Sequence, residues 1–413
     1  MENEQTARLT IPDGSIDWRT RGIWQPGPAV PDAEFAAARP FLFGGAFTWP
    51  VMVARRSALE HNIAALAAFC AGRGLDFAPH GKTTMAPALF QMQLNAGAWG
   101  ITAATAAQLA AYRAFGVPRV LLANELLDHT ALDWIAAEVA QGWELLCFVD
   151  SVAGVQAASR AARSRPLRVL AELGYPGGRT GCRDAAELTA VARAAAAAPG
   201  TELAGVAGYE GGLGSVPEVT AFFGSVRDAT RVLATAGLLP GEVIVTAGGS
   251  AYFDVVAEEL GGTWLPGHRL RTILRSGAYV SHDDGLYQAR TPFTRIPGTL
   301  EAALEVWAQV TSVPEPGLAI AGLGKREAPY DAGLPVPLRV RRADGSAGPA
   351  GGLSVTQFND HHAFLSVPAG SALAPGDLIC FGISHPCTAF DKWPVIPVVD
   401  DRYRVTDLIR TYF

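Results

Sequence analysis

The stretch from about residue 75 to residue 275 alternates between two kinds of sequence, and this alternation constrains the fold most strongly. Short apolar or β-branched runs of strand length are followed by longer Ala- and Leu-rich stretches with helical spacing, such as 105–115, 184–198 and 216–237. The predicted strands are residues 75–79, 99–103, 119–122, 144–149, 167–173, 203–209, 242–246 and 271–275. Eight strand–helix units are typical of a (β/α)8 TIM barrel, and a doubly wound open sheet is the alternative.

The sequences on either side of this stretch predict a different structure. Residues 51–55 form another predicted strand, and Ser57 with Glu60 predicts a capping box that opens a helix to about residue 73. After residue 290, Pro and Gly become frequent and a turn or hairpin loop is predicted at 343–352. Short strands are predicted there at 305–311, 337–341, 353–358 and 377–381. We therefore expect an N-terminal segment (1–56) that pairs with a C-terminal, mainly β domain (291–413), and a barrel at 57–290.

Composition excludes several classes of protein. Of the 413 residues, 49% are hydrophobic and only 17% are charged, which favours a large core over disorder. The net charge of -6, without a long basic run, argues against nucleic acid and anionic membranes as partners. Residues 1–5 show no signal-peptide pattern, and no long apolar run predicts a membrane span. The five scattered cysteines suit a reducing compartment, so we expect a cytoplasmic protein.

Lys82 lies just after the first predicted strand, in the segment Pro79-His80-Gly81-Lys82-Thr83. Active-site residues of barrel enzymes follow the strands at their C-terminal ends. A partly buried lysine near other cations has a lowered pKa, which suits the amine for Schiff-base chemistry. The alternative is a solvated loop lysine, as most lysines are.

Further polar residues follow strands five, seven and eight. Arg179 lies in a glycine-rich loop and could hold an anionic oxygen of a cofactor, or it could pair with an acidic neighbour. Gly248, Gly249 and Ser250 precede a predicted helix, so their backbone N–H groups could bind a phosphate, although most such turns bind nothing. Tyr279 could donate to the same phosphate, or it could simply pack in the core.

A possible metal site lies near the C-terminus, at His385 and Cys387. In an extended chain these side chains point to one side, and an imidazole with a thiolate can bind one zinc ion. Two protein ligands leave positions for water and substrate, as a catalytic metal requires, although most His-x-Cys pairs bind no metal. His361 and His362 are nearby candidates, and a surface or structural role is favoured for His361.

Together, these motifs resemble the fold-type III pyridoxal-phosphate enzymes, and most closely their D-serine dehydratase and D-threonine aldolase group. Residues 79–83 resemble the group's cofactor-lysine motif. Arg179, followed by Thr-Gly, matches an arginine that meets the cofactor's phenolic oxygen, and Tyr209 is expected beside the cofactor. The glycine turn at 248–250 and Tyr279 match its phosphate contacts.

The resemblance continues through the second predicted domain and covers about residues 45–398. His385 and Cys387, followed by Phe-Asp-Lys-Trp at 390–393, match the group's metal motif. The segment 359–362 resembles a Glu/Gln-His segment, and the match falls on His362. His362 and His80 are possible contacts to the substrate or to residues that bind it. One departure is Glu210-Gly-Gly, where relatives often place a histidine.

The resemblance implies an alanine racemase-like barrel with a β domain, usually in a homodimer whose active site lies near the subunit interface. It implies pyridoxal 5'-phosphate and a divalent metal, zinc first and manganese as the alternative. The expected reaction removes water from a D-3-hydroxy amino acid and gives a 2-oxo acid and ammonia. Aldolases of the group often carry Asp in place of the metal-site cysteine, so Cys387 favours a dehydratase. The alternatives are retro-aldol cleavage to glycine and an aldehyde, and a non-catalytic cofactor carrier.

Overall fold

The computed structural model describes residues 7–413, which fall into two compact units. The barrel unit contains residues 7–10, 66–82 and 90–277, and the second unit contains 11–65, 83–89 and 278–413. The start of the chain, where no signal peptide is predicted, lies outside the described residues. The domain boundaries drawn from the sequence at residues 57 and 290 stay predictions.

Five elements precede the barrel strands. They are β1 (Ser15–Ile16), β2 (Val30–Pro31), α1 (Asp32–Ala37), β3 (Val51–Arg55) and α2 (Arg56–Gly72). The predicted capping box at Ser57 is wrong, because the helix begins at Arg56 and Ser57 is already inside it. The Ser57 hydroxyl instead donates to Asp401 Oδ1 at 2.8 Å, so a tertiary contact takes the place of the local one.

The barrel unit alternates strands and helices along the chain. Its elements are β4 (Asp76–Phe77), α3 (Pro87–Asn95), β5 (Ile101–Ala103), α4 (Ala106–Phe115), β6 (Arg119–Glu125), α5 (His129–Ala140), β7 (Glu144–Val149), α6 (Val152–Ala161), β8 (Leu167–Leu173), α7 (Ala185–Ala197), β9 (Thr201–Gly208), α8 (Val216–Thr235), β10 (Val243–Ala247), α9 (Phe253–Leu260) and β11 (Leu270–Leu274). The helix α3 begins within the second unit's segment 83–89. The predicted order of strands and helices is observed.

The eight strands β4 to β11 form one parallel sheet in the order β4-β11-β10-β9-β8-β7-β6-β5. Its two ends meet, because the backbone N–H groups of Trp99 and Thr102 donate to Phe77 O and Pro79 O at 2.7 and 2.9 Å. The sheet therefore closes on itself, which confirms the predicted (β/α)8 barrel. A buried cluster formed mainly by strand residues fills its core: Ala78, Leu121, Ala123, Leu146, Phe148, Leu170, Ala204, Ala207, Ile244 and Ile273.

Short polar residues start several of the barrel helices. The side chains of Thr105, Ser151, Asp184 and Ser215 each accept a backbone N–H from the first turn of α4, α6, α7 and α8. Such caps satisfy N–H groups that a helix leaves unpaired at its start. The sequence predicted helices that start at residues 105 and 184, and these two residues are the N-caps of α4 and α7.

The second unit is mainly β, as predicted. Its remaining elements are α10 (Leu286–Arg290), β12 (Leu304–Glu315), β13 (Leu318–Ala321), β14 (Val336–Arg341), β15 (Ala347–Pro349), β16 (Ser354–Phe358), β17 (Ala363–Ser366), β18 (Leu378–Gly382), β19 (Val395–Val399) and β20 (Val405–Arg410). The strand β12 pairs with β3, β13 and β18, and β3 also pairs with β19. The predicted loop at 343–352 contains β15, which forms a hairpin with β14.

Among residues 7–413, no helix combines the length and apolarity that crossing a membrane would take. The cytoplasmic location stays a prediction.

Candidate active site

The sequence contains three lysines, Lys82, Lys325 and Lys392, and only Lys82 belongs to the barrel unit. It is half-buried in a short 3-10 helix, Gly81–Thr83, that follows β4. Gly81 cannot carry a side chain here, because a Cβ atom would overlap the Tyr112 hydroxyl. The chain therefore passes close to the barrel wall and places Lys82 beyond the C-terminal end of the first strand.

The surroundings of His80 show that three cationic residues of the barrel unit lie close together. Its Nδ1 lies 3.1 Å from Thr102 O, which can only accept, so Nδ1 carries the proton and Nε2 keeps its lone pair. Burial lowers the His80 pKa well below its usual value, and the positive charges of Lys82, Arg275 and Arg179 lower it further. The imidazole is therefore neutral at physiological pH, among three cations.

Arg179 and Tyr209 are in direct contact. The guanidinium carbon of Arg179 lies 4.2 Å from the Tyr209 ring centroid, in cation–π geometry. Both residues line a cavity of about 320 Å³, together with Glu172, Tyr175 and the glycines of the loops after β8 and β9. The predicted loop arginine is thus placed at the barrel mouth, where it could meet an anionic oxygen.

The predicted phosphate cradle at Gly248 and Gly249 already holds an anion of the chain itself. The backbone N–H groups of Gly248 and Gly249 donate to the two carboxylate oxygens of Glu210, at 3.2 and 2.6 Å. Gly248 has φ +95° and its Cβ would overlap Leu274 Cδ1, so the turn requires glycine there. Phosphate contacts from this turn stay a prediction, and Ser250, 9% exposed, follows it.

Arg275 is a barrel-mouth residue for which the sequence analysis assigned no role. It is 4% exposed and donates to Thr246 Oγ1 at 2.8 Å and to Gly208 O at 2.9 Å. Burial lowers its pKa, while the carboxylates of Glu210 and Glu172 oppose that shift. The sequence contained a signal, because Arg275 ends a predicted strand of the barrel and a charged side chain there is seldom buried without a polar partner.

Two glutamates at the ends of β6 and β8 form a buried acidic pair, also missed from the sequence. Burial, then the hydrogen bond and charge of Glu172, raise the pKa of Glu125 to about 9. As carboxylates, both oxygens of Glu125 and Oε2 of Glu172 lack any hydrogen-bond partner in the described part of the chain. A hydrogen bond between the two carboxyl groups requires one proton, so we infer that the pair shares one.

The metal motif lies in the second unit, and its geometry differs from the predicted extended chain. His385 is extended, but Pro386–Thr388 forms a 3-10 helix, so the predicted extended conformation of this segment is wrong. A hydrogen bond with Cys387, then Asp331, raises the pKa of His385 to about 9 despite partial burial. The turn therefore still brings the imidazole and the sulfur together.

Two further side chains contact this motif. His385 Nδ1 lies 2.6 Å from Asp331 Oδ2, and Cys387 Sγ lies 3.3 Å from Thr83 Oγ1. Within residues 7–413, no group of three or more His, Cys, Asp or Glu side chains is arranged to hold a metal. The donor set of one imidazole and one thiolate suits zinc that takes its other ligands from water or substrate.

Three other predicted residues lie in the second unit. Tyr279 is 2% exposed in the 3-10 helix Ala278–Val280. His362 is exposed in the turn between β16 and β17, whereas His361 bonds the buried Glu327, Nδ1 to Oε1, at 2.9 Å. A substrate role for His362 and a phosphate role for Tyr279 stay predictions.

The barrel-mouth residues fit pyridoxal phosphate, which presents an aldehyde, a phenolic oxygen and a phosphate. The single barrel lysine could supply the amine, and the positive charges around His80 favour an anionic group. One shared proton pairs only one oxygen of each glutamate, so the buried pair of Glu125 and Glu172 still offers acceptor oxygens to a bound molecule or water. The carboxylate of Glu210 does not fit such a cofactor, because it already accepts the backbone N–H groups that a phosphate would need.

Comparisons with known proteins agree with this fold. The family described as "Alanine racemase, N-terminal domain" matches residues 55–265, half of the chain, and the "Putative serine dehydratase domain" matches 303–399. The D-threonine aldolase of Arthrobacter sp is 26% identical over 392 residues, covering 92% of this chain and 94% of that protein. The 3-hydroxy-D-aspartate aldolase of Paracoccus denitrificans (strain Pd 1222) is 26% identical over 298 residues, covering 69% and 74%.

Solved structures show the same architecture. The D-threonine aldolase from Filomicrobium marinum superposes with a TM-score of 0.74 at 24% identity, covering 89% of this chain and 95% of that one. The D-threo-3-hydroxyaspartate dehydratase from Delftia sp. HT23 gives a TM-score of 0.70 at 24% identity, covering 88% and 97%. The chain therefore belongs to the alanine racemase-like, fold-type III group of pyridoxal-phosphate enzymes, alongside the D-serine dehydratases and D-threonine aldolases.

Proposed function

We propose that this protein is a pyridoxal-phosphate- and metal-dependent lyase that removes water from a D-3-hydroxy amino acid and releases a 2-oxo acid and ammonia. Support for the substrate class comes from the relatives, which are named for D-threonine, 3-hydroxy-D-aspartate and D-threo-3-hydroxyaspartate. Each of these molecules carries a hydroxyl group on the carbon next to Cα.

One observation carries the proposal. Thr83 directly follows Lys82 in the chain, and its hydroxyl lies 3.3 Å from the sulfur of Cys387. This contact supports a role for the metal motif in the same reaction as the lysine. A carrier without turnover would have no use for a metal motif.

The barrel residues have separate roles in this proposal. When bound, the cofactor supplies an electron sink for the carbanion formed at Cα. Lys82 provides the amine that attaches it and, once released, takes the proton from Cα. Arg179 holds the phenolic oxygen, and the neutral imidazole of His80 adds no further positive charge to the site.

In this proposal the metal motif helps the 3-hydroxyl group of the substrate to leave. Hydroxide leaves poorly, and a metal held by His385 and Cys387 would supply Lewis acidity towards the 3-hydroxyl of the substrate. Two protein ligands leave room for that oxygen. Loss of the Cα proton and of hydroxide gives an enamine, which hydrolyses to the 2-oxo acid and ammonia.

Retro-aldol cleavage is the second candidate, and the curated relatives favour it because both are named aldolases. In that reaction a base removes the proton of the 3-hydroxyl, the Cα–Cβ bond breaks, and glycine and an aldehyde are released. Cys387 favours dehydration, because aldolases of the group often carry Asp at this position.

Product analysis separates these reactions. The cofactor- and zinc-loaded protein is incubated with D-serine, D-threonine and D-threo-3-hydroxyaspartate, with the L-enantiomers as controls. Dehydration is supported by 2-oxo acid and ammonia in equal amounts from D-substrates only. Glycine with an aldehyde identifies the aldolase, and no turnover of any substrate favours the carrier. The homodimer also stays a prediction, which the mass in solution tests.

A further inference from the structure

The carboxylate of Asp331 joins two side chains of the metal motif. Its Oδ2 lies 2.6 Å from His385 Nδ1, and its Oδ1 accepts a hydrogen bond from Thr388 Oγ1 at 2.7 Å. Because a carboxylate only accepts, Nδ1 of the imidazole carries a proton. The nitrogen left to bind a metal is therefore Nε2, and the neutral ring with its proton on Nδ1 is the form that such a ligand requires.

Residues 329–333, which include Asp331, contact the start of the metal motif both before and after Asp331 in the chain. Ser384, the residue before His385, donates from Oγ to Gly333 O at 2.5 Å and lies 3.5 Å from Pro329 O. Asp331 is therefore held opposite the imidazole by contacts other than its own.

Thr388 gives the carboxylate a second fixed point. Its hydroxyl lies one residue beyond Cys387, so Asp331 bonds the turn on either side of the cysteine. A carboxylate held at both oxygens has little freedom to rotate, and the imidazole that it binds is restricted in the same way.

The contact is poorly placed to stabilise the fold. The side chain of Asp331 is 47% exposed, whereas that of His385 is 18% exposed. Pairs exposed to this extent contribute little to stability, because water solvates the charges nearly as well. Removing Asp331 is therefore expected to change how well His385 binds a metal and to leave the free energy of unfolding nearly unchanged.

We propose that Asp331 is the positioning residue of the metal site: it holds His385 in the tautomer and orientation that present Nε2 to a divalent metal shared with Cys387. The inference rests on the proposed function, which assigns the metal to these two residues. In metal sites, removing such a partner typically weakens binding about 10- to 100-fold.

Zinc affinity of the full-length, cofactor-loaded protein tests this directly, by competition with a chromophoric chelator. D331A removes both carboxylate contacts and is expected to bind zinc about 10- to 100-fold more weakly than the natural protein. Its matched control is D360A, because Asp360 is exposed and its ion pair with Arg326 is long, at 4.0 Å. D360A should bind zinc as the natural protein does. T388V removes one of the two carboxylate contacts and should weaken binding less than D331A.

Cobalt substitution separates positioning from collapse of the motif. Cobalt-loaded D331A should keep the thiolate-to-metal absorption band of Cys387, and excess cofactor should not restore its metal affinity. Equal zinc affinity of D331A and the natural protein would overturn the inference and leave the proposed function standing. If H385A binds zinc as tightly as the natural protein, the metal role in the proposed function fails, and the inference with it.

Discussion

Glu210 Oε1 lies 2.6 Å from the backbone nitrogen of Gly249, and this bond places a buried carboxylate inside the glycine turn after the seventh barrel strand. Glu210 is 0% exposed, and its second oxygen accepts the N–H of Gly248. The carboxylate therefore satisfies two adjacent backbone donors that would otherwise be available to an external anion.

Replacing Glu210 with glutamine should destabilise the barrel. The amide oxygen can accept one of the two N–H groups, but the amide NH2 then faces the other donor, which loses its partner. A buried donor left unpaired costs about 1–3 kcal/mol. We expect a lower thermal midpoint for E210Q in the absence of cofactor. E144Q is the control, since Glu144 is 57% exposed in its pair with Arg119. An unchanged midpoint in E210Q would contradict this role.

The acidic pair at the barrel mouth should make stability depend on pH. Glu125 keeps its proton in the folded protein up to a pKa of about 9, whereas its usual value is 4.5. The unfolded chain therefore loses the proton first, and the stability contribution, complete below 4.5, falls as pH rises towards 9.

The variant E125Q removes this titration and keeps a hydrogen bond to Glu172. Its thermal midpoint should fall less than that of the natural protein as pH rises from about 5 to about 9. The same series in E144Q controls for the loss of one surface charge. Parallel curves for E125Q and the natural protein would show that Glu125 ionises normally.

Removing the metal should stop the reaction without releasing the cofactor. Chelation, or the variant C387A, is expected to lower turnover of a D-3-hydroxy amino acid at least about 100-fold, because hydroxide then leaves unaided. The cofactor's absorption spectrum should remain, since its attachment belongs to Lys82. H129Q, at an exposed histidine at the start of α5, serves as the control. Full turnover after chelation would remove the metal from the mechanism.

The sequence predicted the barrel because its signal is local. A strand or a helix is recognised from the spacing of apolar residues within one short stretch of sequence. The same pattern places the glycine-rich loops after strands five and seven. The predicted strands 144–149 and 167–173 match β7 and β8.

The residues that sequence reasoning missed act across long separations. Asp331 precedes His385 by 54 residues, and Glu210 precedes Gly249 by 39. No local pattern marks either pair, because each is created by the approach of two loops in the fold. Ser57 shows the converse, since its local capping pattern is overridden by a contact with Asp401.

The attachment of the cofactor to Lys82 is the claim that the other assignments depend on. The protein mixed with pyridoxal phosphate should show an absorption band at about 420 nm, absent from the free protein. Borohydride should fix the cofactor covalently, and peptide mapping should find it on Lys82 and on neither of the other two lysines. K82A should lose both signals, whereas K325A should keep them. A labelled K82A protein, or label at Lys325 or Lys392 in the natural protein, would contradict the account.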